Sequence, residues 1–248
     1  MSTQDTSLKT GLFLFGLSIG VSLIVVAIIF SITLSNIKMS DKTITVKGYA
    51  EKNITSDLAI WSGTISVRSS DMTIAYDKLQ KDMSKFISYL QSKGIETSKI
   101  TTSSISTIKN FRYTPEGYST GQIDSYELTQ TVSITSENVN LVNQISGEAT
   151  SLIKDGLEIY SNPPQFYYTK LNDLKIEMLG DAAKDAKQRA EKLAKSSGGD
   201  VGPMKSATQG VFQITPLYST NVSDWGEYDL TSIQKTIKSV VTIDFTIK

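Results

Sequence analysis

The sequence predicts an α+β protein: an N-terminal transmembrane helix followed by one two-layer domain of mostly antiparallel strands with about three helices. Three observations predict this class. An uncharged apolar run of 24 residues lies near the N-terminus, several later segments are apolar at every second position, and three are apolar at every third or fourth position. Antiparallel strand pairs with helices between them are typical of domains whose helices cover one sheet face.

The apolar run, residues 11–34, is long enough to cross a membrane. At ~1.5 Å per residue it forms roughly 36 Å of helix, whereas the hydrocarbon core of a bilayer is about 30 Å thick. A cleaved signal peptide is the alternative, but its apolar core is normally shorter, and no small-x-small cleavage site follows Leu34. We therefore expect a polar tail at 1–10, a retained single-pass anchor in the lipid bilayer at 11–34, a linker at 35–42 and one folded domain at 43–248.

Charge does not fix the orientation of this anchor. Lys9 and the terminal amine precede it, whereas lysines at positions 38, 42 and 47 follow it, which on the positive-inside rule disfavours export of the domain. That rule is weak for large domains. Within the helix, Gly16 and Gly20 form a small-xxx-small pair. One interpretation is a contact with another helix in the membrane. The other is that the pair has no special role, because glycine is common in membrane helices.

The first two strands are predicted at 43–50 and 57–69, because apolar and polar residues alternate in both. One face of the second strand carries Ala59, Trp61, Gly63, Ile65 and Val67. Only residues 51–56 separate the two strands, so we expect them to pair as a hairpin.

The first helix of the domain follows, with Asp71 as its predicted N-cap, because a carboxylate can accept the free N–H groups of the first turn. Its apolar stripe, which we expect to lie in the core, is Met72, Ala75, Leu79, Met83, Phe86, Ile87 and Leu90. Gly94 suits a left-handed C-terminal cap, which favours a residue without Cβ.

A second strand pair and helix come next. A Ser/Thr-rich strand at 100–113 and a turn-forming loop at 114–122 lead to a returning strand. One face of that strand carries Tyr126, Leu128, Gln130, Val132 and Ile134. The second helix, about 137–154, ends before Gly156, and the residues it is expected to bury are Val142, Ile145, Ala149, Leu152 and Ile153.

The last third of the chain contains a long helix between extended segments. Residues 157–168 are predicted to be extended, but Pro163-Pro164 marks an edge or an interruption, since proline cannot donate to a central ladder. The helix, about 171–196, carries a stripe of small residues that allows a close neighbour: Ala182, Ala183, Ala186, Ala190, Leu193 and Ala194. Strands at 204–214 and 235–247 follow, and a polar loop at 215–232 separates them.

The composition excludes several kinds of chemistry. The chain has no Cys and no His, which removes disulfides, thiol chemistry, Cys or His zinc sites and every Ser-His or Cys-His nucleophile. Lys+Arg and Asp+Glu are both 25, and this balance disfavours a nucleic-acid partner, which normally meets a basic excess. A Ser-Lys dyad stays open, but no such pair stands out.

Three carboxylates, Asp224, Glu227 and Asp229, cluster in the last loop. Calcium takes oxygen ligands, so one interpretation is a cation site; the other is an ordinary polar loop. The spacing matches no EF-hand and favours the second. We therefore predict no catalytic, cofactor-binding or metal-binding residue.

Three stretches of the chain together form a recognisable pattern. They are Val46-Lys47-Gly48 with Asp57-Leu58-Ala59, Lys93-Gly94-Ile95 with Lys99-Ile100-Thr101, and Ala182–Leu193 followed by Gly199 and Val201-Gly202. In these stretches the chain resembles the SIMPL-domain family of exported bacterial envelope proteins. The likeness spans residues 43–248, with Ser56 where the family usually has Pro and Ala50 where it often has Gly. The family usually carries a cleaved signal, from which this chain departs if its helix is retained.

The resemblance implies an extracytoplasmic domain without established enzymatic activity, whose relatives form ring- or cage-like homo-oligomers and are linked to envelope integrity or stress tolerance. Our leading hypothesis is a non-enzymatic protein of the inner (cytoplasmic) membrane with a periplasmic domain that self-associates. The alternative is an envelope module that binds a small molecule or polymer without enzymatic activity. Candidate contact regions are 157–168, 114–122 and 215–232, because they are long, contain tyrosine and are not expected to be needed to close a hairpin.

Overall fold

The structure is a computed structural model that describes residues 3–40 and 42–247, with side chains for 15–34 and 42–247. These residues form two compact units. The first unit contains the chain up to residue 50 together with 179–210 and 240–247, and the second unit contains 51–178 and 211–239. Helices and antiparallel strands follow one another along the chain, which confirms the predicted α+β class.

The N-terminal helix, α1, spans Thr3–Ser40. Its segment Phe15–Leu34 has a mean hydropathy of 2.6 and buries none of its length against the protein, so it is long and apolar enough to cross a membrane. The hydroxyls of Ser18, Ser22 and Thr33 donate to carbonyls three or four residues earlier, which satisfies them inside the helix. Length and composition fit a membrane anchor and also a signal sequence.

The ten strands and the three further helices of the described residues have the following bounds. The strands are β1 Thr43–Thr55, β2 Leu58–Ser69, β3 Ile100–Thr102, β4 Ser106–Tyr113, β5 Ser119–Ser136, β6 Glu158–Ser161, β7 Gln165–Tyr167, β8 Val201–Gln209, β9 Gln213–Pro216 and β10 Gln234–Ile247. The helices are α2 Met72–Ser92, α3 Val139–Glu148 and α4 Leu171–Ser196, and a 3₁₀ turn, Ala149–Asp155, continues α3.

In the first unit, β10 lies between β1 and β8, and α4 packs on this sheet. The alanine stripe of α4 makes the contact, as predicted: Ala182, Ala186 and Ala190 are buried against Val46, Val241, Ile243 and Phe245. Gly48 lets the backbones approach, because a Cβ there would overlap the carbonyl oxygen of Ala182 and lie 2.7 Å from Cβ of Ala186. Small residues on both elements therefore set the close packing.

In the second unit, β2 is the centre of an antiparallel sheet. On one side it pairs with β5, with Gly63 opposite Val132, and on the other with β6 and β7. Strands β3 and β4 both pair with β5. Helices α2 and α3 pack on this sheet, and the rings of Trp61 and Phe86 meet edge-to-face with centroids 6.0 Å apart.

Several local predictions are confirmed. Asp71 accepts from the backbone N–H groups of Thr73 and Ile74 at 2.7 and 3.1 Å, and Gly94 ends the α2 region with a φ of +90°. The long helix has the predicted bounds. Pro163-Pro164 interrupts the extended segment between β6 and β7.

The predicted hairpin of the first two strands is wrong. Strand β1 pairs with β10, whereas β2 pairs with β5, β6 and β7 in a different sheet. Alternation shows which face of a strand is buried but not which strand lies beside it, and a short separation favoured the hairpin. The strand predicted at 204–214 is likewise two strands, β8 and β9, with Gly210 between them.

Two residues predicted to be buried, Met72 and Ile153, are exposed, and so is Leu193 of the predicted α4 stripe. Met72 is the first residue of α2 and lies at the rim of the core. Ile153 turns outward because α3 gives way to a 3₁₀ turn at Ala149, and three residues per turn shift the phase of the stripe. Leu193 lies near the C-terminal end of α4, beside the first residues of β1, and lines an open groove there.

Candidate interaction surfaces

The loop between β9 and β10, residues 217–233, carries the most exposed aromatic side chain of the described residues. Trp225 is 94% exposed and Tyr218 is 89% exposed, and Val222 and Tyr228 are also exposed. Tryptophan has a large apolar surface, so its burial against a partner would contribute a large favourable free energy. We call residues 217–233 the Trp loop.

The buried amide of Gln213, at the start of β9, holds the Trp loop in shape. Its Nε2 donates to the carbonyl of Ser223 at 2.6 Å, and its Oε1 accepts from the backbone N–H groups of Ser223 and Glu227 at 3.2 and 2.9 Å. Lys238 on β10 donates to the carbonyl of Ser219 at 2.6 Å. The loop that displays Trp225 is therefore preorganised, which lowers the entropy cost of binding a partner.

The three carboxylates of the loop do not form one cluster. Asp229 is committed to the loop itself, because its Oδ1 accepts from the N–H and the hydroxyl of Thr231, both at 2.8 Å. Asp224 and Glu227 remain on the loop beside Trp225. Among the described residues, no three Asp or Glu side chains come together in a way that could hold a metal ion.

A buried lysine joins the Trp loop to the sheet. Lys235 is 2% exposed, and its ammonium donates to the carbonyls of Phe166 and Asp229. Burial lowers the pKa of Lys235, against the opposing effect of the Asp229 carboxylate. Burial also works to raise the pKa of Asp229, but the hydrogen bonds from Thr231 and Ser232 and the charge of Lys235 outweigh it and lower that pKa.

The predicted loop at 114–122 closes a long hairpin formed by β4 and β5, so the expectation that no hairpin needs it is wrong. Thr114 donates from its backbone N–H to the carbonyl of Tyr118 at 2.8 Å, and Gly117 has a φ of +87°. The exposed apolar residues of this hairpin are Ile108, Phe111, Tyr113, Tyr118 and Ile123. Within the described residues β4 pairs only with β5, so its other edge is open. We call residues 106–123 the aromatic hairpin.

The third candidate region, 157–168, is built into the sheet. Its strands β6 and β7 both pair with β2. Next to it, Asp57 accepts from the N–H and the hydroxyl of Thr169 at 2.7 and 2.8 Å, which ties the start of β2 to the start of α4. An open groove of about 420 Å³ runs past Trp61 and Pro163-Pro164. This region therefore offers a groove rather than projecting aromatic side chains.

The polar loop and the turn can be predicted from the sequence, but the residues that hold them in shape cannot. Gln213 and Lys235 belong to no recognisable sequence motif. One feature of the sequence does predict that Lys235 is buried. It lies an even number of residues from Ile237, Val241 and Ile243, so it is on the same face of β10 as these buried side chains. A polar residue at an inward position of a strand requires a buried partner.

A comparison with protein families matches residues 44–245 to SIMPL, described as a protein of unknown function (DUF541). The chain belongs to the SIMPL family. A comparison with curated proteins gives no match. The residues of the family likeness now have physical roles: Gly48 and the alanine stripe pack β1 on α4, and Asp57 ties β2 to α4.

Proposed function

We propose that this SIMPL protein is a non-enzymatic, membrane-anchored envelope protein whose extracytoplasmic domain self-associates into a closed, ring- or cage-like homo-oligomer. A role in envelope integrity or stress tolerance belongs to the same proposal and rests on the family resemblance. The observation that carries self-association is Trp225, fully displayed on a loop that Gln213 holds rigid. Buried tryptophans dominate the binding energy of many protein interfaces.

The second unit offers two different apolar surfaces, the Trp loop and the aromatic hairpin. A contact between unlike surfaces is heterologous and forms a ring when the rotation between copies closes. The open edge of β4 supports pairing, because an unpaired strand edge is a template for another chain. A membrane anchor would raise the local concentration of copies, so a weak contact between domains suffices.

The test is the mass of the full chain in detergent, measured by light scattering across a wide concentration range. We expect a discrete oligomer. Trp225→Ala should raise the dissociation constant by roughly 30-fold or more, since removing such an anchor costs about 2 kcal/mol. Ile176→Ala is the matched control, because Ile176 is also an exposed apolar residue but lies on α4 outside both surfaces.

Two results would overturn the proposal. A monomer at every concentration removes self-association and favours the rival function, an envelope module that binds a small molecule or polymer, for which the groove at Pro163-Pro164 is the first place to look. An oligomer that loses as much affinity with Ile176→Ala as with Trp225→Ala would place the contact elsewhere.

The location of the domain has its own experiment. Protease added to intact spheroplasts should digest residues 43–248 while a cytoplasmic control protein survives. Protection of the domain would place it in the cytoplasm and remove the envelope role. Family membership supports the extracytoplasmic side, against the lysines that follow the helix.

A further inference from the structure

A basic groove lies beside the first residues of β1, where the chain leaves the N-terminal helix. The groove has a volume of about 500 Å³ and is lined by Thr45, Val46, Lys47, Arg189, Lys192 and Leu193. Lys47 and Lys192 are exposed, and neither has an ion-pair partner within the described part of the chain. Arg189 donates through Nε to Asp185 at 2.7 Å, so its two terminal nitrogens are available to an anion.

The two elements that form the groove run antiparallel, so later residues of α4 lie beside earlier residues of β1. The acidic Asp185 lies beside the later part of β1, where it accepts from the N–H of Tyr49 at 2.8 Å. Arg189 and Lys192 lie beside residues 45–47, nearer the N-terminal helix. The described residues 42–50, 179–210 and 240–247 contain eight Lys or Arg and five Asp or Glu, although the whole chain is neutral. These residues of the first unit therefore carry an excess of three positive charges.

The covalent connection keeps this groove at the membrane surface. Helix α1 continues from Leu34, the end of its apolar run, to Ser40. Six residues of helix span about 9 Å, close to the thickness of one headgroup layer. Two residues separate Ser40 from Thr43, where β1 begins, so Thr45 lies within about 17 Å of the end of the helix. A retained anchor thus holds the groove within reach of lipid headgroups.

We propose that this groove binds the headgroup phosphates of anionic phospholipids in the leaflet at the C-terminal end of the anchor. Arg189 supplies a planar fork that can donate two hydrogen bonds to a phosphate, and the two lysines supply mobile point charges. The nearby Asp244 keeps its negative charge, but its carboxylate accepts from the hydroxyls of Thr45 and Ser206 at 2.6 and 2.5 Å and does not line the groove. Exposed Leu193 gives the rim an apolar residue. The proposal requires a retained helix but not self-association.

The test measures the reactivity of lysines in the unmodified full chain. The protein is placed in nanodiscs of phosphatidylcholine alone or of phosphatidylcholine with phosphatidylglycerol, treated with an uncharged acetylating reagent, and analysed by mass spectrometry. In the anionic discs we expect Lys47 and Lys192 to react roughly fivefold more slowly. Lys81 and Lys109, exposed lysines of the second unit, should react equally in both discs.

Reversing the charge of a groove residue distinguishes protection by lipid bound in the groove from protection caused only by closeness to the membrane. Arg189→Glu should restore the reactivity of Lys47 and Lys192 in anionic discs. Lys187→Glu, on the same helix but outside the groove, should leave their protection unchanged. Equal labelling in the two kinds of disc, or protection that survives Arg189→Glu, would overturn the proposal. Protection by inorganic phosphate in detergent alone would also overturn it, since the ligand would then be the free anion.

Discussion

At the scale of single residues, the second unit depends on polar side chains that are buried with their partners. The clearest is Lys235, whose ammonium donates to the carbonyls of Phe166 and Asp229 and so joins β10, β7 and the Trp loop. Burying a lysine is costly, and here the hydrogen bonds and the nearby Asp229 carboxylate offset part of that cost, while burial still lowers the pKa of Lys235. The same residue therefore contributes to the sheet and to the shape of the candidate interaction surface.

Lys235→Met tests this role. Methionine fills a similar volume but leaves two buried carbonyl oxygens unpaired and removes the cation beside Asp229, so we expect the free energy of unfolding to fall by about 2–4 kcal/mol. Urea titration followed by tryptophan fluorescence measures it, because Trp61 is buried in the same unit. Lys170→Met, at an exposed lysine, should change the free energy by less than about 0.5 kcal/mol. An equally small loss for Lys235→Met would show that water replaces its hydrogen bonds.

At the scale of elements, the close contact between β1 and α4 depends on Gly48. A methyl group there has no space, because it would meet the backbone at Ala182 and the side chain of Ala186. We expect Gly48→Ala to destabilise the protein by about 1–3 kcal/mol, the range for an overpacked core. Gly180→Ala is the control: nothing lies within 4 Å of a Cβ there, so replacing a helical glycine should stabilise by up to about 1 kcal/mol. If both variants stabilise, the helix and the strand can separate freely.

The three strands of the first unit are also joined by one carboxylate. Asp244, on the middle strand, accepts hydrogen bonds from Thr45 on β1 and Ser206 on β8, and these bonds lower its pKa. A carboxyl with a depressed folded-state pKa stabilises the fold above its unfolded pKa of about 3.9. This contribution is lost as the pH falls through the folded value.

Asp244→Asn should therefore lower the thermal midpoint near neutral pH, where the native carboxylate is charged, and the difference from the native chain should shrink as the pH falls. Thermal unfolding followed by circular dichroism between about pH 7 and pH 2.5 measures this. Asp200→Asn, at an exposed position, should give a curve parallel to that of the native chain. A difference that is constant with pH would mean that ionisation of Asp244 does not contribute to the stability of the fold.

The elements also show what the sequence can and cannot predict. Helix α4 was predicted with its bounds, because its stripe of alanines and its terminal glycines are local signals. The pairing of β1 with β10, almost two hundred residues away, has no local signal, and the predicted hairpin was wrong. For the candidate surfaces, the loop at 215–232 was predicted from its polarity. The hydrogen bonds of Gln213 to the backbone of Ser223 and Glu227, on either side of Trp225, form only in the folded chain and have no local signal.

At the scale of the whole molecule, the proposals bear on whether the N-terminal helix is retained. A retained anchor would favour all three proposed properties: the role in the envelope, self-association and the binding of lipid headgroups. The helix runs without interruption through residues 35–40, directly after its apolar segment, and β1 begins at Thr43. The preferred cleavage site of a signal peptidase is of the Ala-x-Ala kind, and neither Thr33-Leu34-Ser35 nor Leu34-Ser35-Asn36 supplies that pair.

We therefore expect the mature protein to keep this helix. The intact mass of protein extracted from its native membrane should correspond to the full 248 residues, allowing for processing at the N-terminus. The positive control is the double variant Leu34→Ala with Asn36→Ala, which creates an Ala-Ser-Ala cleavage site after the apolar run and should release a shorter, soluble product from the same cells. If the native chain already begins near Asn36, the helix is a signal peptide, and the lipid-headgroup proposal fails with it. Self-association would then be a property of a freely diffusing domain.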